Sequence, residues 1–345
     1  MEKKMAITAK KIAEKLNLSP SAVSLALNGK PGVSDSTREL VLAEAERLGY
    51  TRQKVTAAGT QNIRFVIFLG DQREIIQETT FYSYILQGIE KYARRLGYNV
   101  LVSYYRTDED PALQLNTISA DAAGLIILGT SIERSRVDEL RPLFDLDLPV
   151  VMVDNYIESL GIDCVVTDNY RGSYNATKYL LAKNYTDPGY LRSRSKIDNF
   201  RRRQEGFLNA CKEANPDQEC TIIDVGISSQ KAYDDMSEWL ADGNHPPRAL
   251  LADNDVIAAA CTRALKAHGY RIPEDVAVIG FDNMPLCTMV EPPLTAIDVN
   301  KEMIGKTAVN LLHNRITECC SGEKCTDDGT LLVYVSTRLV ERETT

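Results

Sequence analysis

In the first fifty positions apolar residues recur at three- and four-residue spacing, and each run has a start and a stop. Thr8 can N-cap a helix that carries Ile12, Ala13 and Leu16 on one face. Asn17 follows, a residue that tolerates the left-handed conformation of a tight turn. Ser19-Pro20 opens a second helix, hydroxyl cap before proline at the first helical position. Its inner face reads Ala22, Val23, Ala26 and Leu27, and it ends at Asn28-Gly29. Ser34 caps a third helix running to about Leu48, with Leu40, Val41, Ala45 and Leu48 inward and Gly49 as its stop. Three short helices with a tight turn between the first two predict an all-α helix-turn-helix headpiece over 1–50. Residues 51–62 are small and polar and read as a linker.

From residue 63 the period changes. Short β-rich runs (63–69, 100–105, 124–128, 150–154) alternate with helical stretches (81–96, 109–119, 133–140). A second series repeats the alternation, with strands at 164–167, 189–192, 221–225, 249–252 and 276–281 and helices at 171–183, 199–214, 229–241 and 254–267. Alternation of this kind predicts βαβ units and parallel sheets. Two series predict an α/β core over 63–345 built of two doubly wound lobes. A short strand at 295–297, a helix at 301–313 and one strand at 331–339 end the chain and allow it to cross back between lobes. The expected N-lobe is about 63–163 with 297–325, and the expected C-lobe about 164–296 with 326–345. A ligand cleft belongs at the carboxyl ends of the strands.

The chain has 345 residues, too many for one ordinary core, and its 44% hydrophobic and 26% charged residues are those of a globular protein. The start, Met-Glu-Lys-Lys, lacks the apolar stretch of a signal peptide, and no apolar run suggests a membrane span; a cytoplasmic protein with no membrane partner is expected. Net charge is −8, yet residues 1–60 hold ten Lys/Arg against six Asp/Glu. A basic head on an acidic body suits a protein that brings one end to phosphates. Eight cysteines are expected as free thiols in a reducing compartment. Cys319, Cys320 and Cys325, with His313 upstream, match no standard zinc spacing, and a surface loop is the plainer reading; no metal or other cofactor is expected. There is neither a Gly-x-Gly-x-x-Gly after the first strand nor a Walker A loop, and His245, His268 and His313 sit in no nucleophile motif, so an enzyme is not expected.

Several motifs, in order and spacing, resemble the LacI/GalR repressor family over essentially the whole chain. They are Val23-Ser24-x-x-Leu27-Asn28-Gly29, Val33-Ser34-x-x-Thr37-Arg38, Leu48-Gly49-Tyr50, Arg203-x-x-Gly206-Phe207, Asn254-Asp255-x-x-Ala258, Ile272-Pro273-Glu274-Asp275-Val276-x-Val278-Ile279-Gly280-Phe281-Asp282-Asn283 and Pro293-Leu294-Thr295. The resemblance implies a homodimeric transcriptional regulator, a repressor, with a periplasmic-binding-protein-like core. A small-molecule effector, a sugar or sugar derivative, would bind between the lobes and change affinity for double-stranded operator DNA. The alternative within regulators is a global carbon-catabolite regulator controlled by a phosphocarrier protein.

At the DNA end the resemblance implies phosphate contacts from Thr8, Ser19, Ser24, Ser34 and Thr37, with Asn28 and Arg38 nearby. Pro20, Ser21, Ala22 and Leu25 would face the bases. Plain helix capping by Ser19 and Ser34 is compatible with that role. The sequence departs from the family at Leu25, where an arginine is usual, and in the linker, where Arg52-Gln53 replaces Pro-Asn and Gly59 replaces the leucine that wedges into the minor groove.

For the cleft the resemblance implies Phe81, Tyr82, Asp154, Asn155, Arg203, Asn254 and Asp282. Carboxylates, amides and a guanidinium hydrogen-bond vicinal hydroxyls, and aromatics pack on a sugar face. Phe81 and Tyr82 can equally be core, and Asp282 can simply cap a turn. Arg192, Arg194 and Lys196 beside Arg203 fit either an anionic effector, a sugar phosphate or acidic sugar, or a solvated surface loop. The stretch Gly70–Thr80 is long enough to cover the cleft entrance.

Overall fold

The computed structural model describes residues 9–16, 18–19, 22–23, 26, 33–47, 62–69, 80–217, 219–321 and 329–345. Thr8, Pro20, Ser21, Ser24, Leu25, Asn28, Gly59, the expected lid at 70–79 and Cys325 lie outside the described residues. The chain divides into two units, Met1–Gly59 and Thr60–Thr345.

In the first unit, helices Ala9–Leu16 and Asp35–Arg47 pack around Ile12, Ala13, Val23, Ala26, Val41 and Ala45, with Leu16, Leu18 and Val33 at the margin. The Ala22 amide donates to Ser19 Oγ at 3.1 Å and the Thr37 amide to Ser34 Oγ at 3.3 Å, so both serines satisfy amides at helix starts. Leu40 was expected inward but is 53% exposed. Val41 and Ala45, one turn apart, take the inner face of this short helix, and Leu40 lies about 100° around the axis from Val41.

The second unit holds two six-stranded sheets. The first has order β11-β5-β4-β3-β1-β2, from β1 (Asn62–Leu69), β2 (Asn99–Arg106), β3 (Gly124–Leu128), β4 (Val150–Val153), β5 (Asp163–Thr167) and β11 (Leu332–Val335), all parallel. The second has order β12-β10-β9-β8-β6-β7, from β6 (Gly189–Ser193), β7 (Ile222–Val225), β8 (Ala249–Ala252), β9 (Ala277–Asp282), β10 (Thr295–Val299) and β12 (Thr337–Val340). Only β12 runs antiparallel to its neighbour in this sheet. The central strands β3 and β8 are buried along their whole length, as expected of parallel strands covered on both faces by helices.

The chain crosses between lobes three times: through helix Asn169–Ala182 after β5, through helix Lys301–Ser321 after β10, and at Ser336 between β11 and β12. The lobe boundaries therefore differ from the expected ones. Strand 163–167 pairs with β4 and β11 in the first sheet, and the strand expected at 295–297 pairs with β9 in the second and extends to Val299. The single strand expected at 331–339 is two strands in different sheets. The helix expected at 301–313 continues to Ser321, because Ile316 adds a further turn to the face formed by Ile304, Ala308, Val309 and Leu312. In place of the helix expected at 133–140 stand a 3-10 turn, Arg134–Glu139, and a short helix, Arg141–Phe144.

Helices Asn169–Ala182 and Asp198–Ala214 touch backbone to backbone at Gly206, where a Cβ would stand 2.2 Å from the Tyr170 carbonyl oxygen. Gly206→Ala is expected to push the helices apart and cost about 1–3 kcal/mol or more. Denaturant unfolding of the variant beside the native chain checks this; equal midpoints would show that the helices yield freely.

Candidate functional site

The strands of both sheets end in acidic residues, and these ends face each other. Asp154 follows β4 with φ 62° and Asp282 closes β9 with φ 103°, left-handed values that are costly for residues with a Cβ. Strain of this kind persists only where the surroundings hold it. At Asp154 its amide donates to the Val165 carbonyl at 2.9 Å and Thr130 Oγ1 donates to Oδ2 at 2.6 Å. At Asp282 the backbone carbonyl accepts from Lys301 Nζ.

Arg203 sits between these ends and is 3% exposed. Its Nε donates to Asn169 Oδ1 at 2.8 Å, its Nη1 to the Asp253 carbonyl, and its Nη2 to Asp282 Oδ1 at 3.0 Å. The guanidinium lies 3.7 Å from the centroid of the Phe281 ring. Asn169 Nδ2 donates to Asn199 Oδ1 at 2.9 Å, and Asn199 Nδ2 to the Asp154 carbonyl at 3.0 Å. A continuous buried chain of hydrogen bonds thus runs from Asp154 in the first lobe through Asn199, Asn169 and Arg203 to Asp282 in the second.

The chain leaves one end open. Asp154 Oδ1 is buried and has no partner among the described residues. A buried carboxylate oxygen without a donor is costly, and a bound molecule that donates to it would relieve that cost. Burial raises the Asp154 carboxyl to about 6 against the pull of Thr130 and Arg203. Burial likewise raises Asp253 to about 6, although Tyr190 Oη donates to its Oδ1 at 2.6 Å and the Ser193 amide to its Oδ2 at 2.5 Å. Burial lifts Asp255 and Asp282 as well, and their mutual repulsion adds to the shift of Asp255. Asp255 nonetheless belongs to the framework. Its Oδ2 accepts from the Met284 amide at 2.6 Å, and a Cβ on Gly280 would come within 2.4 Å of its Oδ1.

Two expected residues turn inward on the protein itself. Asn155 Nδ2 donates to the Gly129 and Ile132 carbonyls at 2.9 and 3.0 Å, and its Oδ1 accepts from the Tyr156 amide at 2.7 Å. It pins a loop. Asn254 Oδ1 caps helix Asp255–Ala267 by accepting from the Ile257 amide at 2.9 Å, and only its Nδ2 is left for other work. Phe81 is buried with Lys301 Nζ 5.7 Å from its ring centroid, whereas Tyr82 is half-buried at the start of helix Phe81–Arg95.

The expected cationic loop is largely neutralised. Arg192 donates to both carboxylate oxygens of Asp224 at 2.5 and 2.8 Å, and Arg194 pairs with Asp235 at 2.5 Å. Lys196 lies on the rim of a cavity of about 350 Å³, walled by Ile132 and Ser135 of the first lobe and Ile197 and Phe200 of the second. His313, weighed as a metal ligand, shares a hydrogen bond of 3.0 Å with Tyr98 Oη and packs edge-on against its ring.

A periplasmic binding protein-like domain model matches residues 177–345. The transcriptional repressor PurR of Photobacterium profundum is 28% identical over 318 residues, covering 90% of this chain and 92% of the relative. The transcriptional regulator DegA of Bacillus subtilis is 29% identical over 304 residues, covering 85% and 86%. The chain is similar over most of its length to transcriptional regulators of the LacI/GalR type. Solved structures agree on the fold. The regulator CelR in complex with cellobiose superposes with a TM-score of 0.70 at 22% identity, over 98% of this chain and 100% of that one. The Lac repressor dimer bound to operator and the anti-inducer ONPF gives 0.66 at 23%, over 98% and 99%.

The buried chain brings together three of the expected LacI/GalR cleft residues, Asp154, Arg203 and Asp282. Thr130, Asn169, Asn199, Asp253 and Lys301 were missed by sequence reasoning. Asp253 carried a usable signal, since it directly follows an apolar strand and precedes the flagged Asn254. Asn169 and Asn199 carried none, because each matters through a partner 30 residues away.

Proposed function

We propose that this LacI/GalR regulator represses transcription at an operator, and that an uncharged, hydroxyl-rich molecule, a sugar or sugar derivative, bound between the lobes sets its operator affinity. The observation that carries the reading is the buried hydrogen-bond chain linking the lobes, with its open acceptor at Asp154 Oδ1. A ligand donating there, with Asn254 Nδ2, Phe81 and Tyr82 beside it, would favour one arrangement of the lobes over another. Every Arg203 nitrogen already donates within the protein, and Arg192 and Arg194 are held by acids, so the cleft has little to offer an anion. That weighs against a sugar phosphate or acidic sugar. The names of the relatives and neighbours, with cellobiose, an operator and an anti-inducer among them, favour this reading over control by a phosphocarrier protein and over catalysis. Among the described residues no helix is long and apolar enough to cross a membrane.

At the first unit, the hydroxyls of Ser19, Ser34 and Thr37, with Arg38, support phosphate contacts at helix starts. A phosphate-dominated interface predicts operator affinity that falls linearly with salt on a log–log plot. Fluorescence anisotropy with a labelled operator checks this, and a flat profile would sink it. A thermal-shift screen of neutral sugars, sugar phosphates, uronic acids and nucleobases tests the effector. A neutral sugar well above its Kd should stabilise the chain by a few kcal/mol, and stabilisation by anions alone would reverse the class.

A homodimer is part of the same reading. Edge strand β2 exposes Leu101, Val102 and Tyr104, with Leu113 nearby on the helix that follows, an apolar strip that a second copy can cover. Light scattering should give twice the chain mass for the native protein, and a mostly monomeric Val102→Lys variant; a monomeric native chain would contradict the reading.

A further inference from the structure

A recess of about 260 Å³ lies behind the hydrogen-bond chain, between the carboxyl end of β5, strand β11 and the start of helix Asp198–Ala214. Its walls include Tyr156, Tyr170 and Tyr334, with the carboxylates of Asp168 and Asp198. Thr167 also lines it and is 2% exposed, and its Oγ1 is buried without a partner among the described residues. The side toward the cleft is formed by Asn169 and Asn199, whose amides are engaged with each other and with Arg203, Thr167 and Asp154. The partition between recess and cleft is therefore the lobe-to-lobe chain itself.

We propose that this recess is a second small-molecule site, distinct from the Asp154–Arg203–Asp282 cleft, for a single neutral hydroxylated ring of monosaccharide size. The volume admits one such ring and falls short of the ~300–1,000 Å³ usual for larger ligands. Tyrosine rings supply apolar faces for the ring edges. Asp168 Oδ1 already accepts from the Arg171 amide and Asp198 Oδ1 from Arg201, so hydroxyls of the ligand donate to the second oxygens of these carboxylates and to the orphaned Thr167 oxygen. The cations nearest the recess are already paired, Arg202 with Glu205 at 3.3 Å and Arg201 with Asp198 Oδ1 at 2.6 Å, and the Asp168 and Asp198 carboxylates line the space, so an anion finds no free cation there. A ring bound here bears on Asn169 and Asn199 from the side opposite the cleft. Its occupancy changes the affinity of the cleft for its own ligand, and the effect is reciprocal.

The test uses the full-length chain and four probes, D-glucose, D-galactose, D-xylose and D-ribose, titrated by saturation-transfer NMR. The native protein is compared with Thr167→Val, Tyr334→Ala and the cleft variant Asp282→Asn. Thr167→Val removes an unpartnered hydroxyl at constant shape and Tyr334 is 54% exposed, so both variants should fold, which unfolding midpoints verify. The expected result is binding of at least one probe that survives Asp282→Asn and weakens about tenfold in Thr167→Val and Tyr334→Ala. Binding that vanishes in Asp282→Asn and is untouched by the other two leaves the cleft as the seat of these sugars and overturns the second site. Failure of all four probes to bind overturns it as well, and leaves the cleft reading to the wider effector screen.

Discussion

Replacing Arg203 with alanine lowers the stability of the two-lobed core by about 3–5 kcal/mol, the range for removing one partner of a buried ion pair. The size follows from what is left behind. Asn169 Oδ1, the Asp253 carbonyl and Asp282 Oδ1 each lose a donor in a place closed to water, and the ring of Phe281 loses the cation above it. Arg203→Lys restores a charge but not the planar fork that reaches three acceptors, so it should recover only part of the loss. Urea unfolding measures the change, and a loss under about 1 kcal/mol would mean that water replaces the guanidinium at small cost. The double variant Arg203→Met with Asp282→Leu separates the pair from its parts: removing both charges should cost less than removing Arg203 alone. A signature beyond stability is expected too. Where Arg203 variants still fold and bind operator, added effector should no longer change operator affinity, because the chain from Asp154 to Asp282 is cut at its centre.

The strands were legible because each is a short apolar run between turn residues. Gly124–Leu128 and Ala249–Ala252 stand where the pattern put them, since both are buried on two faces and carry no competing period. What the pattern could not carry was partnership. Cys164–Thr167 reads the same whether it opens the second sheet or closes the first, and only its pairing with Val151–Val153 and Leu332–Val335 decides. Ser336 opens a short polar stretch, Ser336-Thr337-Arg338, between two apolar runs that read as one strand, yet the chain changes sheets there, because β5 and β10 offer free edges on different lobes. The same limit holds at the cleft. Strand-end acids are local and were found, as Asp154 and Asp282 were. The assignment of Asn155 and Asn254 rested on position alone, and the backbone groups that occupy their amides are visible only in the fold. The amide pair Asn169–Asn199, one link of the chain whose Asn199–Asp154 bond reaches the first lobe, exists only once both helices are in place.

Lowering the pH through 6 weakens effector binding while adding to the stability of the empty core. Asp154 and Asp253 are fully buried carboxylates raised to about 6, from an unfolded value near 4. Between those values the folded state holds protons that the unfolded state has lost, so stability falls as pH rises. The contribution is fully present below about pH 4 and lost as pH climbs through about 6, and a shift of about two units corresponds to roughly 2–3 kcal/mol for each group. Asp154→Asn should therefore flatten the fall of stability between pH 4 and 6, measured as unfolding free energy against pH relative to the native chain. An unchanged slope would show that Asp154 is ionised in the empty cleft. The effector pulls the other way. A hydroxyl donating to Asp154 Oδ1 favours the carboxylate, so binding depresses this pKa and the complex forms best above it. Affinity should rise with pH across 5 to 7 and level off, with one proton released per effector bound at the lower end. Calorimetry in buffers of different ionisation enthalpy counts that proton, and its absence in the native chain would mean that the ligand meets Asp154 as an acid, donating rather than accepting.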